Sequence, residues 1–141
     1  MRPLVPLGRV LFSLIFILAG RTHFTPQAIG YAAHQGIPAA NILVPLSGVI
    51  ACLGGISVLL GYRAKIGAWL IVLFLVSVTP TMHNFWAVSD PMMAQMQLGM
   101  FMKNLSMLGG ALLIAWFGAG PVSLDARRTL GGSGRVATQP V

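Results

Sequence analysis

Apolar residues in this chain neither alternate nor recur on one face; they run on without interruption. Four stretches approach the roughly 20 residues that a helix needs to cross a hydrocarbon core of about 30 Å. They are Leu4 to about His23, about Ile42 to Tyr62, about Ile66 to Met82, and about Pro91 to Phe117, the last becoming continuously apolar near Leu98. Open strands cannot take this place, because their backbone N–H and C=O groups would stay unpaired in lipid. The pattern predicts an all-α polytopic membrane protein, a bundle of four transmembrane helices over residues 1–128.

Polar punctuation predicts where the helices start and stop. Thr25-Pro26 has the chemistry of an N-cap and first helical residue, while Gly36 and Pro38 mark a stop, so a short interfacial helix is expected from about Pro26 to Gln35 in the first outer loop. Ser89-Asp90-Pro91 opens the last long helix with Asp90 as its cap, and Gly118 to Pro121 closes it. Gly131-Gly132-Ser133-Gly134 has linker composition, which predicts a flexible cytoplasmic tail over 129–141. Within the spans, Ser47, Ala51 and Gly55 recur every fourth residue beside Gly48 and Gly54, and Ser106 and Gly110 do the same. Such rows let helix backbones approach closely, either inside the bundle or between copies in a homo-oligomer.

Composition supports this picture. The chain is 56% hydrophobic and 8% charged, against roughly 25% charged in a soluble domain. Nine Lys and Arg face two acids, Asp90 and Asp125. The cations are scattered between apolar runs rather than gathered on a polar face, so they read as topology signals and anionic-lipid contacts and not as a nucleic-acid footprint. Arg2, Arg9, Arg63, Lys65, Arg127, Arg128 and Arg135 fall on one side, and only Arg21 and Lys103 on the other. The positive-inside rule then puts both termini and the Arg63 loop in the cytoplasm. Leu18-Ala19-Gly20 places Leu where a signal peptidase wants a small residue, so the first span is expected to be retained. Cys52 is the single cysteine, which excludes an intrachain disulfide.

Polar residues within spans are costly and become candidates by default. Lys103 lies about 25 Å along the helix from Gly120 at 1.5 Å per residue, just inside a core of about 30 Å. It either snorkels outward or, with Asn104, turns donors toward a cleft. His23, His34 and His83 map to the outer side, where they suit polar interfacial positions, a metal or haem site, or hydrogen bonding to a lipid-soluble ligand. Met92, Met93, Met96, Met100, Met102 and Met107 crowd the last span as packing filler or, alternatively, a copper path. No P-loop, Ser-His-Asp order or Rossmann glycine pattern is present, and two acids near opposite faces cannot relay protons across the bundle. Independent catalysis is not expected.

Several pieces in order resemble the DoxX family of small bacterial membrane proteins. They are Gly8-Arg9, Phe16 and Ala19-Gly20, then Gly36-Ile37-Pro38, Gly54-Gly55, Leu59-Leu60-Gly61-Tyr62-Arg63 and His83. Phe101-Met102-Lys103-Asn104-Leu105, Gly109-Gly110, Gly118 to Pro121 and Ser123-Leu124-Asp125 complete the series. The resemblance implies a bacterial inner-membrane protein associated with oxidoreductase systems. Ala51 and Cys52 stand where many relatives have an acid, and His23 where they often have Lys, which points away from catalysis. The expectation is an accessory subunit of a membrane redox complex, holding a quinone- or lipid-like ligand near the outer interface. Lys103, Asn104 and His83 would donate hydrogen bonds, His23 and Arg21 would add polar support, and Phe85, Trp86 and Phe101 would form apolar walls, with no metal ligands. The alternative is a structural or assembly subunit with no ligand.

Overall fold

A computed structural model describes the backbone of residues 3–133 and the side chains as far as Arg128. It is all-helical among the described residues: α1 Leu4–Thr22, α2 Pro26–His34, α3 Ala40–Leu60, α4 Ala64–Met82, α5 Pro91–Phe117 and α6 Leu124–Ser133, with one 3-10 turn at Phe85–Ala87. Helices α1, α3, α4 and α5 are long and apolar enough to cross a membrane. They pack in the order α1 on α3, α3 on α4 and α4 on α5. Phe12 of α1 closes the ring over Gly110 of α5, where an added Cβ would lie 2.9 Å from the phenyl ring. Four passes bring the start of α1 back beside the end of α5, so Val5 packs at Gly120. This side, with Arg63 in the tight α3–α4 turn, is the basic end; the opposite side, with His23 and His83, is the histidine end.

The bundle has an apolar outside. Leu11, Leu18, Leu53, Leu73 and Leu113 are exposed, whereas Ala51, Ala64, Ala68 and Ala111 are fully buried. Lipid makes that inversion favourable, since the helices gain by close approach rather than by hiding apolar surface. Glycine provides the approach on two faces of α3. Toward α1, a Cβ on Gly48 would stand 2.7 Å from the Gly20 carbonyl oxygen; toward α4, one on Gly54 would stand 2.9 Å from the Gly67 carbonyl oxygen. Phe16, Val58, Ile71 and Leu75 fill the remaining core. The small-residue row on α3 is therefore used inside the bundle.

Local chemistry sets the helix ends much as expected. Thr25 Oγ1 accepts from Ala28 N at 3.3 Å, and Asp90 Oδ1 accepts from Met93 N at 2.8 Å. Gly36, at φ +81°, ends α2, with Gly36 N bonded to Ala33 O and Ile37 N to Ala32 O, the paired closure of a Schellman motif. Past Pro121 the chain does not enter a loose tail directly. Ser123 Oγ accepts from Ala126 N at 3.1 Å and starts α6, which runs through Gly131 and Gly132 to Ser133. Residues 134–141 of the expected flexible tail lie outside the described residues.

Candidate functional site

Helices α3 and α4 are held together at the basic end by Gly54 and Gly67. Toward the histidine end the glycines give way to larger residues, and each helix contains a proline, Pro45 and Pro80. A helical proline deletes one backbone hydrogen bond and pushes against the carbonyl four residues back. Between these two segments lies a cavity of about 560 Å³, within the range of about 300–1,000 Å³ typical of small-molecule sites. Val44, Ile50, Phe74 and Val78 form its walls, Ala28, Tyr31 and Ala32 of α2 roof it, and His23 and His83 lie on its border. Leu43, Leu46 and Leu73 also line it and are exposed on the lipid-facing surface. The cavity thus opens toward the bilayer.

Most polar groups around it are already committed. Ser77 Oγ donates to Leu73 O at 2.8 Å and Thr81 Oγ1 to Ser77 O at 2.9 Å, so both hydroxyls turn back onto α4. Ser47 Oγ donates to Val44 O at 2.7 Å and lies 2.8 Å from His23 Nδ1. A serine has one hydrogen to give. Where that hydrogen goes to Val44 O, Nδ1 carries the proton in the contact and Nε2 is left as a lone-pair acceptor. His83 Nδ1 meets Gln97 Oε1 at 2.8 Å, and the Gln97 and Gln35 amides both donate to Tyr31 Oη, at 3.4 and 2.9 Å. This network ties α2 to α5 beside the cavity.

The residues singled out from sequence divide between places. His23 and His83 border the cavity. Lys103 is exposed on α5 and donates to Met100 Sδ at 3.4 Å. Asn104 is buried on the face of α5 that carries Met107 and Ala111 into the core. Phe85, Trp86 and Phe101 stack edge to face, with ring centroids 5.1 to 6.0 Å apart, and none of them lines the cavity. Arg21 is exposed at the end of α1. His34 is exposed at the end of α2, and no group of three His, Cys, Asp or Glu that could hold a metal occurs among the described residues. Met107 packs against the core, but Met92, Met93, Met96, Met100 and Met102 are exposed, so packing filler describes only the first of these. Ser47, Gln97 and Tyr31 were not singled out as site residues; their signal lies in partners remote in sequence.

The basic end carries a second feature invisible in the local pattern. Asp125 accepts from Arg63 N at 2.8 Å and Ala64 N at 3.0 Å, capping α4 across the molecule, while its own N–H donates to Gly61 O at 2.8 Å. Arg9 Nη2 donates to Val122 O at 2.7 Å, and its guanidinium fills the space that a Cβ on Gly61 would need. A groove of about 480 Å³ beside this latch is bordered by Arg63, Lys65 and Asp125.

Comparison with known proteins places the chain. Residues 7–129 match the SURF4 family. The chain is 31% identical over 127 residues to the inner membrane protein YqjF of Escherichia coli, covering 86% of this chain and 88% of that one. It is 27% identical to the inner membrane protein YphA of the same organism, over 88% and 89% of the two chains. A Surfeit locus protein 4 homolog of Schizosaccharomyces pombe is 30% identical over 82% of this chain and 38% of its own length. No solved structure matches. These matches overturn the resemblance to DoxX. The pieces behind it, such as Gly54-Gly55, Gly61 and Gly110, sit where helices touch or end, positions that close packing demands of many four-helix membrane bundles. They report architecture and not ancestry. With its span covered almost end to end, this multi-pass membrane protein belongs to the SURF4 family.

Proposed function

We propose that this protein holds the apolar part of a membrane-soluble amphiphile in the cavity beneath α2, and that it does so without catalysing a reaction of its own. The observation that carries this reading is a lipid-open apolar hollow of about 560 Å³ between α3 and α4. The polar groups of Ser47, Ser77 and Thr81 are satisfied by backbone carbonyls, so the walls offer mainly hydrocarbon. Close packing of α3 on α4 at Gly54 and Gly67 gives this gap its weight, because an apolar gap beside a close-packed interface forfeits contacts unless something fills it. The expected redox-complex and quinone role drew on a polar cluster at the outer side and on the DoxX resemblance, and the second of these is overturned. Its proposed donors Lys103 and Asn104 also lie away from the cavity.

The proposed setting is the inner membrane, as the printed names of the two E. coli relatives have it for those proteins. The excess of Lys and Arg at the basic end supports a cytoplasmic position for that end, and the cavity would then lie in the outer half of the bilayer. The test is purification from native membranes in mild detergent, followed by lipid extraction and mass spectrometry, alongside Ser77→Trp, which fills the cavity. One amphiphile class enriched with the wild type and lost from the variant is expected; identical bulk lipid from both would defeat the reading.

A second reading, an assembly partner for other membrane proteins or for a second copy, draws on α5. Only Asn104 and Ala111 of its residues are buried, and a Cβ on Gly99 or Gly109 would meet nothing within 4 Å. Cross-linking from Gly99→Cys in native membranes tests it; a single specific adduct favours a partner, and none leaves that face to lipid.

A further inference from the structure

The cavity's chemistry also says which head group an amphiphile must carry, an inference that rests on the reading above. Charged groups are absent from its lining. Of the acids, Asp90 caps α5 and Asp125 caps α4 at the far end. Of the cations near the histidine end, Arg21 is exposed at the end of α1 and Lys103 is turned to Met100. A carboxylate or phosphate placed here would meet no positive partner, and an ammonium no negative one, and an unpaired charge in an apolar site is severely disfavoured. A neutral head is what remains.

The two imidazoles decide its polarity. Val44 O takes the Ser47 hydrogen, Ser47 Oγ takes the His23 Nδ1 proton, and His23 Nε2 is left holding a lone pair with no partner among the described residues. Gln97 Oε1 takes the His83 Nδ1 proton in the same sense. Each ring then carries its acceptor on Nε2, and both residues border the cavity. An ester or ether head brings more acceptors and would leave the imidazole unpaired; a hydroxyl supplies the missing hydrogen.

We infer that the cavity selects neutral amphiphiles whose head group donates a hydroxyl hydrogen bond to His23 Nε2, of the class that includes long-chain alcohols and partial glycerides, over ethers, esters and fatty-acid anions of equal chain length. Ser47 is the positioning residue, since its commitment to Val44 fixes which imidazole nitrogen carries the proton.

The experiment uses the full-length protein in phosphatidylcholine nanodiscs and three probes, oleyl alcohol, oleyl methyl ether and oleate, competing against a photoreactive alkyl label. Oleyl alcohol is expected to bind about tenfold more tightly than the ether, the gain of one net hydrogen bond, with oleate weakest. In His23→Phe the alcohol should fall to the affinity of the ether while the ether is unchanged. If that variant does not assemble, Ser47→Ala should reduce the same preference by releasing the tautomer. Equal binding of all three probes would overturn the head-group inference and leave the cavity reading standing, as would tightest binding of oleate. Failure of every probe to compete would overturn the cavity reading itself.

Discussion

At the scale of single residues, Asp125 is the side chain whose role depends most on the folded molecule. It caps α4 through two backbone N–H groups, a task a carboxylate performs well at a helix N-terminus. Asp125→Ala should cost on the order of 1–2 kcal/mol, seen as a lower midpoint in thermal unfolding in detergent, with Asp125→Asn milder because its amide oxygen still accepts. No loss in either variant would remove the latch from the account. His23 depends on the fold in the same way, since its Nδ1 lies 2.8 Å from Ser47 Oγ on another helix. Neither role is legible in sequence, because Asp125 acts on residues about sixty positions away and His23 on a serine two dozen positions on.

Among the elements, the spans and their boundaries were readable because their causes are local. Uninterrupted apolar length specifies a crossing helix, and Thr25, Gly36 and Asp90 bring their capping chemistry with them. What sequence could not give was direction around each helix axis. Lys103 and Asn104 are adjacent, yet one is exposed and the other lies on the core face, a difference made by where α4 and α5 touch. Glycines show the same limit. Gly54 and Gly109 look alike in the string, but a Cβ on Gly54 would stand 2.8 Å from Ile71 and 2.9 Å from a fixed carbonyl oxygen, while one on Gly109 meets open space. Gly54→Ala should therefore destabilise the bundle by about 1–3 kcal/mol. Gly109→Ala should be neutral or gain up to about 1 kcal/mol of helix propensity. Equal effects in unfolding titrations would refute the close α3–α4 approach.

For the whole molecule, four long helices bring the start of α1 and the end of α5 to one side, and the cavity arises at the other, away from the Gly54–Gly67 contact that pins α3 to α4. An unequal grip of this kind follows from the placement of small residues on one half of a hairpin and prolines on the other. It was not foreseen from the sequence, which showed the small-residue row and the prolines but not that they divide one helix pair between closure and opening. The charge bias predicts which way the molecule sits. In a Cys52→Ala background, a cysteine at Tyr62 should resist membrane-impermeant thiol reagents in intact cells, and one at Gln35 should react. The central claim is that the hollow, and not the broad outer face of α5, is where an amphiphile resides. Photolabelling with a diazirine-bearing alkyl alcohol, mapped by peptide mass spectrometry, tests it directly. Labels concentrated on α2 and on the facing segments of α3 and α4, and abolished by Ser77→Trp, are the predicted result. Labels spread along the exposed side of α5 and indifferent to that substitution would contradict it.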